Sequence, residues 1–282
     1  MSFSNFLRAR QYLQNVTPAT LEWYRISFQW LPSETPTQAE LNEMVIRMRE
    51  KGLKATGCNS LIRAINAYLH WASGTTRKCG AGCSHPQLQQ LKEPQVVLPT
   101  FTEPQVRRFV SDKPKGKCRR RLHLLVLFLL DTGCRISEAL GVRVRDIDFD
   151  NLLVTLDGKG RKQRVVPFSF ELRRAMFNHC KQANQTPERL LFESRSQTAL
   201  GKRVMHRDVK KYCQDLGFEP PPRMLHAFRH TFAVNYLRRG GSVFHLQKVL
   251  GHTSLDMTRV YANLVTTDLQ AVHERVSLLS KP

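Results

Sequence analysis

Between Thr75 and Thr100 the apolar residues lose the three-and-four spacing that runs through the stretches on either side. Gly, Pro, Gln and Lys take over, a composition that suits a connector between domains. A chain of 282 residues has room for two ordinary domains. The lapse therefore predicts an N-terminal domain over 1–78, a linker over 79–99 and a C-terminal domain over 100–282.

The first part reads as helical. Thr17 and Pro18 form an N-cap and first-turn pair, and Leu21, Tyr24, Phe28 and Leu31 recur at helical spacing until Pro32. A second helix runs through Leu41, Met44, Val45 and Met48 to Gly52, and a third carries Leu61, Ile65, Tyr68, Leu69 and Ala72. The second part opens with helices around 103–110 and 121–130, breaks at DTGCR (131–135), and resumes a helical turn at ISEALGV. LLVTL (152–156) and QRVVPF (163–168) are short β-branched runs about a Gly-Lys-Gly turn, a hairpin signal. From there to the end the pattern is helical. One helix spans 229–239, Ser242 caps a helix over 243–250 that Gly251 stops, and a short helix around 255–262 carries Tyr261. The fold class expected is mainly α with a small β-hairpin or sheet, in two domains. No internal repeat is found.

Lys and Arg number 44 against 23 Asp and Glu, a formal net charge of +21. Such an excess points to a polyanionic partner, most commonly nucleic acid. Residues 1–95 hold 11 basic and 6 acidic side chains and residues 96–282 hold 33 and 17, so both parts are basic. No run approaches the ~18 apolar residues of a spanning helix, and the N-terminus lacks the features of a signal peptide. The expectation is a cytoplasmic, nucleoid-associated protein of a prokaryote or mobile element, with no membrane partner. Seven scattered cysteines do not form a disulfide framework. Cys79, Cys83 and His85 lie close together, but three ligands without a second cluster are a weak zinc signal, and no metal is expected.

Breaking a phosphodiester without a metal requires a nucleophile, a cationic cradle for the nonbridging oxygens and a proton donor for the leaving oxygen. Arginine matches two phosphate oxygens with a fork that stays charged. Tyrosine can attack, but with a free pKa of ~10 it needs a proton acceptor or a strongly positive site. The chain supplies these types as Arg135, Lys159, His226, Arg229, His252 and Tyr261. His226 and Arg229, three apart, share a helical face. Taken singly, each has a plainer reading: a packed tyrosine, a hydrogen-bonded core histidine, arginines on backbone phosphates only. Lys162 rivals Lys159 on bare chemistry, and His206 and His230 read as structural.

Taken together, TGCRISEALGV, GKGRKQRVVPF, LHAFRHTFAVNYL and LGHTSLDMTRVYANL resemble the tyrosine site-specific recombinases, the phage integrase family. The resemblance runs over ~100–270 and more loosely over the first ~95 residues. It implies a helical core-binding (SAM-like) domain at 1–78 and a mixed α/β catalytic domain at 100–282, of the compact Xer-like or mobile-element-borne type. Tyr261 would attack the scissile phosphate to give a 3′-phosphotyrosine and a 5′-hydroxyl. Arg135 and Arg229 would hold the nonbridging oxygens, Lys159 would protonate the leaving oxygen, and His226 would serve as base and then acid. His252 would hydrogen-bond the phosphate, and Glu138 would orient the site. Cys134 stands where the family often has a larger apolar residue. A separate arm-site DNA reader is not expected.

The implied partners are double-stranded DNA bearing recombination sites and three further copies in a homotetramer, or a second recombinase. The tail residues Leu269, Val272, Val276 and Leu279 would pack on a neighbouring subunit. Strands would exchange through a Holliday junction and rejoin without ATP, and no cofactor is implied. The alternatives are a type IB-like topoisomerase, which shares the tyrosine chemistry, and a DNA-binding regulator with a decayed site.

Overall fold

The computed structural model describes residues 2–75, 85–93, 98–158, 163–194, 196–252 and 254–262. They fall into two compact units, one within Met1–Val96 and the other within Val97–Pro282.

The first unit packs four helices, α1 (Phe3–Tyr12), α2 (Pro18–Phe28), α3 (Gln38–Glu50) and α4 (Ala55–Ala72). The last three follow the sequence reading, and α1 is an addition to it. Thr17 caps α2 with Pro18 in its first turn, and Thr37 with Glu40 closes a capping box on α3. Phe6, Tyr24, Phe28 and Tyr68 meet edge-on or tilted in the core, beside Leu41, Met44, Met48, Ile62 and Ile65. Residues 85–93 lie on α4. Asn66 and Asn59, two helical turns apart, each bond both the N–H and the C=O of one residue, Leu88 and Leu91 respectively, at 2.7–2.9 Å. An amide side chain carries one donor and one acceptor group, so it can satisfy a strand-like residue that has no strand beside it.

The second unit is built on α6 (Lys117–Thr132), whose Leu124, Leu125, Val126, Phe128 and Leu129 are buried. Around it stand α5 (Glu103–Ser111), α8 (Phe170–Ala183), α9 (Lys202–Asp215) and α10 (Met224–Arg238). The short α7 (Ile136–Ala139) follows α6 directly. The expected hairpin is β2 (Leu153–Asp157) with β3 (Gln163–Pro167), and β1 (Ile147–Asp148) makes it a three-stranded antiparallel sheet in the order β1-β2-β3. Val154, Leu156 and Val166 point into the core. Residues 184–194 and 196–201 depart from the helical reading: they run as turns with isolated bridges Arg143↔Leu190 and Glu193↔Ala199. Arg143 and Arg145 hold this segment through the backbone and carboxylate of Glu188.

The mainly helical class with a small sheet is thus what the chain adopts. α11 (Val243–Leu250) and α12 (Asp256–Ala262) complete it, and both pack on α10. Ser242 holds the N-cap position of α11 but makes no side-chain capping bond. No described helix is long and apolar enough to cross a membrane.

Candidate active site

Two helices end on glycines in the left-handed region, and their last carbonyls build the site. α6 stops at Gly133 (φ +61°) and α11 at Gly251 (φ +66°). Arg229, on α10, donates to Gly133 O at 3.0 Å and to Leu250 O at 2.7 Å. Carbonyls at helix C-termini carry partial negative charge, so they seat a guanidinium well. Arg229 is only 5% exposed. Burial and the nearby Arg135 lower its pKa to about 10, which leaves it charged at neutral pH. Two of its five N–H groups are engaged by these carbonyls and it also bonds the Tyr261 oxygen, which still leaves N–H groups to meet an anion.

Arg135 sits at the N-cap of α7, immediately after the left-handed turn. Its backbone N–H donates to Glu138 Oε2 at 2.8 Å and its Nη1 to Oε1 at 2.9 Å. From the other side Arg164 of β3 donates to both oxygens of Glu138, at 3.1 and 2.8 Å, and to Val249 O at 2.8 Å. Burial alone would raise the Glu138 pKa; the bonds from Arg164 and Arg135 outweigh it and hold the pKa below its ordinary value. Two guanidiniums, from Arg135 and Arg164, thus bond one carboxylate, and a third, from Arg229, lies within its electrostatic reach. The local excess of positive charge suits a phosphate.

Tyr261 lies in a small core of Ala233, Val234, Leu246 and Leu250, 4% exposed. Its Oη is 2.8 Å from Nδ1 of His230, and its ring stacks on His252 at 6.3 Å between centroids with 8° between planes. Burial raises the phenol pKa, and Arg229 and Arg135 counter it in part. His252 Nδ1 pairs with Thr258 Oγ1 at 2.9 Å, which leaves Nε2 for a ligand. Burial, then the site's cations, lower the pKa of His252 to about 4, and burial, then His226 and Arg229, do the same for His230. His226 is lowered by burial and by the same arginines. The site at neutral pH is therefore a protonated phenol beside neutral imidazoles, inside a cationic pocket.

Residues 99–267 match the model of the phage integrase family. The chain belongs to that family. Among its phage integrase relatives, the tyrosine recombinase XerA of Thermococcus kodakarensis is 30% identical over 237 residues, 83% of this chain and 80% of that one. XerA of Pyrococcus furiosus is 29% identical over 248 residues, 87% and 82% of the two chains. Two solved structures share the fold. The Tn1549 transposon integrase in complex with circular intermediate DNA has a TM-score of 0.74 at 24% identity, covering 96% of this chain and 97% of that one. The XerH site-specific recombinase bound to palindromic difH substrate has a TM-score of 0.73 at 18% identity, covering 99% and 84%. The chain is a tyrosine recombinase, an enzyme of DNA strand breakage and rejoining.

Arg135, Glu138, His226, Arg229, His252 and Tyr261 come together within the second unit. Lys159 and its rival Lys162 lie outside the described residues, as do Cys79, Cys83 and the tail with Leu269, Val272, Val276 and Leu279. His85 is described, with Nε2 2.8 Å from Nδ1 of His70. Among the described residues no group of three or more His, Cys, Asp or Glu is arranged to hold a metal. Two participants escaped the sequence reading. Arg164 was not singled out, although strand alternation puts it on the same face as the buried Val166. His230, which reads as structural in the sequence, lies one turn after His226 on α10 with Nδ1 against Tyr261 Oη.

Proposed function

We propose that this recombinase cleaves duplex DNA at specific sites by attack of Tyr261 Oη on the scissile phosphorus. The product is a 3′-phosphotyrosine with a free 5′-hydroxyl; attack by a partner strand's 5′-hydroxyl then rejoins the backbone. Because the phosphotyrosine keeps the energy of the broken ester, neither ATP nor another cofactor is needed. Arg135 and Arg229 hold the nonbridging oxygens, Arg164 and Glu138 fix Arg135, and His226 and His252 hydrogen-bond the phosphate region. Lys159 protonates the leaving 5′-oxygen. The first unit serves as the core-binding domain and the second as the catalytic domain. Four copies assemble on two sites and pass through a Holliday junction.

The observation that carries this reading is a buried phenol that feels both Arg229 and Arg135 within one chain. The XerH and Tn1549 integrase structures, both bound to DNA, support the choice of partner. A nicked suicide duplex tests the chemistry: wild type should form a covalent complex that survives denaturant, and Tyr261→Phe should form none. A Phe variant that still links to DNA would mean the nucleophile lies elsewhere. Two differently labelled duplexes incubated together should give exchanged products. Relaxation of supercoils without exchange would instead identify a topoisomerase.

A further inference from the structure

The family resemblance gives the role of proton acceptor to His226, but the imidazole on the phenol is a different one. Among the described residues, His230 places Nδ1 2.8 Å from Tyr261 Oη, with the rings tilted 44°. His226 lies one helical turn back on the same face of α10, and its backbone N–H donates to Arg223 O at 2.7 Å. The phenol is buried at this contact. Ala233, Val234, Leu246 and Leu250 pack around its ring, and His252 stacks on one face.

The tautomer follows from the charges. Arg229, which can only donate, bonds the phenol oxygen, and the phenol's own O–H is left to give elsewhere. A neutral His230 with its proton on Nε2 presents Nδ1 as the acceptor. The groups that bear on His230 are Tyr261 from α12, His226, Arg229 and Arg223 from its own helix and cap, and His252 from the end of α11. Burial first, and then His226, Arg229 and Arg223, lower its pKa to about 4, so the acceptor is available well below pH 7.

We infer that His230 is a catalytic residue: Nδ1 orients the Tyr261 hydroxyl and takes its proton as Oη attacks the phosphorus. The inference rests on the reading of Tyr261 as nucleophile. In the step, the Oη–P bond forms while the bond from phosphorus to the 5′-oxygen breaks. The phenolic proton passes to Nδ1, and the leaving oxygen takes a proton from the donor proposed above, Lys159. In rejoining, the imidazolium returns its proton to the departing phenolate. A resting phenol would not surrender its proton to so weak a base. The hydroxyl becomes strongly acidic as its oxygen bonds to phosphorus, so the transfer completes late in the attack. Entry of the phosphate beside Arg229 also offsets part of the positive field that disfavours imidazolium.

The test is single-turnover cleavage of the suicide duplex by the full chain between pH 6 and 9, because such rate constants do not depend on the fraction of folded protein. His230→Asn keeps a hydrogen-bonding amide near Nδ1 but cannot carry a proton. It should bind the duplex like wild type and cleave about 10²–10³-fold more slowly at pH 7. Its log rate should climb one unit per pH unit as hydroxide replaces the lost acceptor, where wild type is flat. Difluorotyrosine at position 261, a more acidic phenol, should recover much of the H230N rate and change wild type little. His226→Asn should keep the flat profile. A flat profile for H230N, absence of recovery by the acidic phenol, or the hydroxide-dependent slope in H226N instead would each overturn the assignment. Covalent linkage by Tyr261→Phe would sink the underlying nucleophile reading, a separate result.

Discussion

Glu138 is the carboxylate on which two of the three site arginines converge, and at 6% exposure it has little water to fall back on. Removing one partner of a buried pair leaves the other charge uncompensated, which costs ~3–5 kcal/mol. Arg164, 12% exposed, would bear that cost, whereas the more exposed Arg135 is screened by solvent. Glu138→Ala should therefore lower unfolding stability by about 3 kcal/mol in urea titrations. Glu138→Gln, which keeps an acceptor, should lose less. The pH dependence has a fixed sign. The folded pKa of Glu138 lies below the unfolded value near 4.3. Its contribution is complete above that value and disappears as pH falls through the folded pKa. The acid limb of stability should flatten in Glu138→Gln; an unchanged limb would remove Glu138 from the account. How these residues read in the sequence differs by type. Arg135, His226, Arg229, His252 and Tyr261 were legible because their order and spacing match a known pattern. Arg164 was not, because a strand arginine ordinarily faces solvent, and only its register with Val166 betrays the inward turn. His230 was hidden by its neighbours, since a second histidine beside His226 and Arg229 adds nothing to a motif already complete.

The C-terminal ends of α6 and α11 bring two arginines to their positions, and each end depends on a glycine. A Cβ on Gly133 would overlap the Phe232 ring, while one on Gly251 would come 2.9 Å from the flexible arm of Arg164. Both positions also carry the ~1–2 kcal/mol penalty of a left-handed non-glycine residue. Gly133→Ala adds overpacking of ~1–3 kcal/mol and should be clearly the less stable variant by urea denaturation. Gly251→Ala should lose less stability yet slow cleavage, because displacing Arg164 loosens its bonds to Glu138 and Val249 O. Equal stability losses would show that Phe232 moves aside without cost. Elements announced by periodicity or by Gly and Pro, such as α2, α4, α6 and the β2–β3 hairpin, were readable from sequence. β1 was not, since two residues offer no alternation to detect. Nor was the docking of 85–93, which depends on Asn59 and Asn66 bonding backbone from a helix face otherwise read as apolar.

At the scale of the whole chain, the +21 charge and the buried site arginines predict different responses to salt. Both parts of the sequence are basic, and most of their lysines and arginines are exposed or half-exposed. Each phosphate that such cations neutralise releases condensed counterions, so log affinity should fall with log salt at a slope near −0.9 per contact. With roughly 6–10 contacts, affinity should drop about 10³–10⁵-fold between 50 and 200 mM salt. The cleavage step should behave differently. Arg229 and Arg164 are anchored on backbone carbonyls and shielded from solvent, where screening is weak. Single-turnover cleavage at saturating protein should therefore stay within a few-fold over the same range. A salt-independent binding constant would contradict the electrostatic partner argument. A cleavage rate that collapsed along with binding would mean that the phosphate cradle is open to the ions around it, and that the burial of these arginines does not persist once DNA is bound.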